Sequence, residues 1–77
     1  MSPLFSKLLR VVAGFLGEDK AMSVLERNIK GNGGNLSTFD NSEMKRLLPY
    51  ILGACRLYVA NDAKRDELRQ ELSKMIA

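Results

Sequence analysis

The chain contains no histidine and no tryptophan, a single cysteine and two prolines. One cysteine rules out an intrachain disulfide, and without histidine a zinc site lacks its usual donors. No run approaches the roughly 18 apolar residues that a membrane span requires. The opening stretch, MSPLFSKLLRVVAGFLG, has no basic start, and Lys7 and Arg10 interrupt its apolar residues, so it does not read as a secretory signal. The glycosylation triplet Asn35-Leu36-Ser37 then has no secretion route and is read as accidental. Together these absences predict a cytoplasmic protein in a reducing compartment, with no metal and no cofactor.

What is present is mixed charge and helical periodicity. Twelve basic and nine acidic residues give a formal charge of +3 over 77 residues. Both signs are spread along the chain, which describes a solvated surface only mildly inclined toward anions. The length makes one domain, in a size range where a single core gives about 3–5 kcal/mol of net stability.

The first helix is expected over residues 3–16, with Ser2 as cap and Pro3 where a missing N–H costs nothing. At 100° per residue, Leu4, Phe5, Leu8, Leu9, Val11, Val12, Phe15 and Leu16 share an arc of roughly 160°, wider than one neighbouring helix covers. Gly17 breaks the pattern. A second helix over 18–30 starts with Glu18 and Asp19, which suit its dipole. Ala21, Met22, Val24, Leu25 and Ile29 form its apolar face, and Asn28 within that face is read as bonding a nearby backbone carbonyl.

The glycine- and asparagine-rich linker over 31–39 invites comparison with a phosphate cradle. Such a cradle needs glycines after a strand and a free helix N-terminus. Here Asp40 and Glu43 occupy that helix end, spaced as a capping box, with Phe39 and Met44 placed as a hydrophobic staple. The linker is therefore punctuation, with Gly31 expected as the left-handed residue ending helix 2.

Helix 3 is expected over 41–60, kinked at Pro49. Met44, Leu47, Leu48, Ile51, Leu52, Ala54, Cys55, Tyr58 and Val59 share one face, while Tyr50 and Leu57 lie beyond its edge. A fourth helix over 62–76 has a narrow seam of Leu68, Leu72, Met75 and Ile76. Its charges are spaced as the surface pairs Asp62–Arg65, Asp66–Arg69 and Glu71–Lys74. Asn61 and Asp62 separate the last two helices. The competing reading is one helix running through Asn61, but Lys64 and Arg65 fall where a continuous seam wants apolar side chains.

No catalytic constellation emerges. Cys55 sits deep in helix 3's apolar face with no histidine as base, the pattern of an inert core thiol. The carboxylate pairs Asp62/Asp66 and Glu67/Glu71 each have a cation three positions away, the mark of a solvated face. The expectation is an all-α bundle of four helices, three if the last two are continuous, acting as a non-enzymatic protein–protein interaction module. The breadth of the apolar faces predicts self-association, most simply a two-fold dimer. Leu4, Phe5, Leu8 and Val12 are the first candidates for the partner surface, with Tyr50 and Leu57 next. A nucleic-acid alternative rests on Lys45, Arg46 and Arg56 on the outer face of helix 3. A peripheral-membrane alternative rests on helix 1.

Overall fold

The computed structural model describes residues 2–76, and among them are four helices and no strand. They are α1 (Pro3–Leu16), α2 (Glu18–Gly31), α3 (Asn41–Cys55) and α4 (Asp62–Lys74). The chain is an all-α bundle.

Each helix start follows its local chemistry. Ser2 Oγ accepts the Phe5 amide at 3.0 Å and Pro3 occupies the first turn, while the Ser2 amide donates to the Leu36 carbonyl at 2.9 Å and ties α1 to the linker. Gly17 serves two helices at once. Its amide donates to the Ala13 carbonyl at the end of α1, and its own carbonyl accepts the Ala21 amide at the start of α2. The backbone there has φ 87° and ψ 157°, a region essentially reserved for glycine.

The end of α2 differs from the expectation. Gly31 is its last helical residue, and Gly33, at φ 82°, takes the positive φ instead. At the next residue the linker folds back on α2: the Gly34 amide donates to the Ile29 carbonyl at 2.8 Å. A Cβ at Gly34 would lie 3.0 Å from that oxygen and 2.8 Å from Ile29 Cγ2. The linker also supplies a core residue, since Phe39 is fully buried with its ring edge-on to Phe5 at 6.2 Å.

Asp40 caps α3 by accepting the Glu43 amide at 2.9 Å. The box is only half made, because the Glu43 carboxylate turns to Arg46 at 3.1 Å. Pro49 lies on the exposed side of α3, where water can serve the carbonyl that its ring leaves without a donor. α3 stops at Cys55 rather than at residue 60. Leu57 and Tyr58 donate to carbonyls three residues back, tightening the last turn. Arg65 then seals this end by donating Nη2 to the Arg56 carbonyl at 3.0 Å and Nε to that of Val59. Asn61 caps α4 through the Lys64 amide at 3.1 Å, so the last two helices are separate.

The packing order across the molecule is α3, α2, α1, α4: α1 lies against α2 and α4, and α3 lies against α2. This explains the wide arcs on α1 and α2, which are the two inner helices and cover a neighbour on each flank. Phe5, Leu8 and Val12 meet Ala21, Leu25, Ile29, Met44, Leu47, Ile51, Leu68 and Leu72 in one core. The accessible surface of 4724 Å² matches the roughly 4700 Å² expected of a folded monomer of this mass.

Candidate interaction surface on α3 and α4

Phe5, Leu8 and Val12 are fully buried in the chain's own core and Leu4 is half-buried. The partner surface expected on helix 1 is therefore corrected: intrachain packing of α1 between α2 and α4 consumes that face. The same burial takes Phe5, Leu8 and Val12 out of the apolar arc on which the membrane alternative relies, leaving Leu4, Leu9, Val11, Phe15 and Leu16 half-buried. No helix among the described residues is long and apolar enough to cross a membrane.

Excess apolar surface lies on α3, an edge helix whose close neighbour is α2 alone. Among the described residues the exposed large apolar side chains are Leu57 at 82 %, Tyr50 at 56 % and Tyr58 at 45 % exposure. Tyr50 lies on the outer side of α3, and Leu57 follows on the turn just beyond the helix end. Gly53, between them in sequence, is exposed, with open space where a Cβ would be. Leu57 and Tyr58 sit on the turn that Arg65 holds. Lys20 Nζ lies 5.3 Å from the centroid of the Tyr58 ring, a cation–π contact tying this corner to α2.

The other flank of α3 faces α4 across a groove lined by Leu52, Arg56, Arg65, Leu68 and Arg69, with Asp62 and Asp66 on the α4 side. Leu48, one turn before Leu52, is half-buried like it. The sequence reading placed both leucines in the core. They are at its margin because α3 and α4 do not pack closely, and which helices become neighbours is invisible to a helical wheel. Arg69 bonds to Asp66 and holds that carboxyl below the usual carboxylate range.

The three cations of the nucleic-acid alternative do not act together. Lys45 and Arg56 are exposed, but Arg46 donates to the Asn32 carbonyl at 3.1 Å and pairs with Glu43, joining α3 to the end of α2. Cys55 is fully buried, and desolvation pushes its thiol up to about 11, the reverse of what a nucleophile needs. Asn28 donates to the Val24 carbonyl at 2.8 Å. Asp62, Asp66, Glu67 and Glu71 each pair with a cation three positions away. Among the described residues no three acidic or thiol groups gather as metal ligands. Comparison with protein-family models, curated proteins and solved structures gives no match.

Proposed function

We propose that this chain is a small protein–protein interaction module, an adaptor or regulator rather than an enzyme, which self-associates through the solvent side of α3. The observation that carries the proposal is Leu57, an 82 % exposed leucine on a turn that Arg65 fastens. Holding a large apolar side chain in water is unfavourable by about 1.5–3 kcal/mol relative to burying it. Tyr50 adds a second exposed apolar side chain on this side of the molecule, and a two-fold dimer is the simplest assembly that covers both.

A standard interface hides about 800 Å² per partner, about a sixth of this chain's 4724 Å². Three side chains provide less than that, so the pairing is reversible and depends on concentration. Light scattering coupled to size exclusion tests it. The wild type should run as two protomers at high concentration, insensitive to moderate salt, and Leu57→Asp as one. A wild type that stays monomeric throughout would overturn the self-association. Nucleic-acid binding has less support, because the Arg46 guanidinium is already committed within the fold.

A further inference from the structure

The groove between α3 and α4 carries a charge pattern that its own chain does not answer. α3 leans on α2 and α4 leans on α1, so two helices adjacent in sequence leave an open channel with a volume of about 310 Å³. Its floor is apolar, with Leu52 on one side and Leu68 on the other. Along α3, Lys45, Leu48, Leu52 and Arg56 fall within roughly 80° of one another at 100° per residue. This stripe is two leucines bracketed by two cations.

No acidic residue occurs between Glu43 and Asp62, so the α3 wall is basic. Among the described residues neither Lys45 nor Arg56 forms an ion pair, whereas Asp62 and Asp66 on the α4 wall are matched to Arg65 and Arg69. The uncompensated charge of the groove is therefore positive and sits on α3. No helix of this chain complements it: α1 carries Lys7 and Arg10 without an acid, α2 three acids and three bases, α4 four of each. A second copy is thus a poor occupant.

We propose that this groove receives an acidic amphipathic helix from a different protein. Its apolar side lies on the half-buried Leu48 and Leu52, beside the buried Leu68, and its carboxylates meet Lys45 and Arg56. Lys45 to Arg56 spans about 16 Å along the helix axis, which sets the occupant at about three to four turns. This flank is about 150° around α3 from Tyr50, and Leu57 lies beyond the helix end, so this inference and the dimer proposal fail separately.

Fluorescence anisotropy on the full chain tests it, with a labelled peptide of roughly 14 residues bearing leucine on one face and glutamate on the other. A counterpart with lysine in place of glutamate is the control. The glutamate peptide should bind saturably and weaken as salt rises. Lys45→Glu with Arg56→Glu should cost about tenfold or more in affinity, as expected of reversing two rim charges. Leu52→Asp should abolish binding, Leu57→Asp should leave it unchanged, and the lysine peptide should not bind. Circular-dichroism melts confirm that each variant is folded. Equal binding of both peptides, no saturable binding, or indifference to the double reversal in a folded variant would overturn the proposal. So would a change in the free protein's oligomeric state on that reversal, which would assign the groove to a second copy.

Discussion

Two glycines in neighbouring positions of the fold should respond oppositely to the same change. Gly17 has φ 87° and ψ 157°, where a Cβ is strained by about 1–3 kcal/mol, so Gly17→Ala should lower stability by that amount in urea titration. Gly14 lies inside α1 with open space around it, and alanine there should raise stability by about 0.5–1 kcal/mol. Equal effects would mean that the helix junction is looser than described. Cys55 offers a second test at this scale. Its thiol, pushed from 9.0 to about 11 by burial, holds its proton more tightly in the folded state. The unfolded chain therefore ionises first, and the associated stability, complete below pH 9, declines as pH climbs from 9 toward 11. Alkylation by iodoacetamide at neutral pH should be slow and should accelerate only in denaturant.

At the scale of the element, the decisive group is Arg65, an α4 side chain that closes α3. Its bonds to the Arg56 and Val59 carbonyls involve a charged donor at a partly exposed site, so Arg65→Ala should cost about 1–2 kcal/mol. Arg65→Lys should not restore it, because an ammonium cannot reproduce the two-pronged geometry. Rescue by lysine would mean that charge alone matters there. This contact also shows where sequence reading stops. The starts of α1, α3 and α4 were legible because Ser2, Asp40 and Asn61 act on amides three residues away. The end of α3 was not, because Tyr58 and Val59 keep the apolar period while the stop comes from a residue on the next helix. The candidate surface divides in the same way. Tyr50 and Leu57 were legible as lying off the buried face, whereas Leu48 and Leu52 passed for core because nothing local says that α4 stands apart.

For the molecule as a whole, the margin is narrow. A single core of this size supplies about 3–5 kcal/mol of net stability, and replacing a buried phenylalanine by alanine costs about 3–5 kcal/mol. Phe39→Ala should therefore leave the chain largely unfolded at room temperature, although Phe39 belongs to no helix; a cooperative melt close to wild type would show that the linker is dispensable. The breadth of the α1 arc had suggested a missing partner. It was supplied from within, since α1 has α2 on one side and α4 on the other. Finally, a one-residue connector at Gly17, bonded to the helices on both sides, gives α1 and α2 no slack. Amide exchange should find them opening in a single step, as one piece, while α3 at the end of its longer tether is free to detach first.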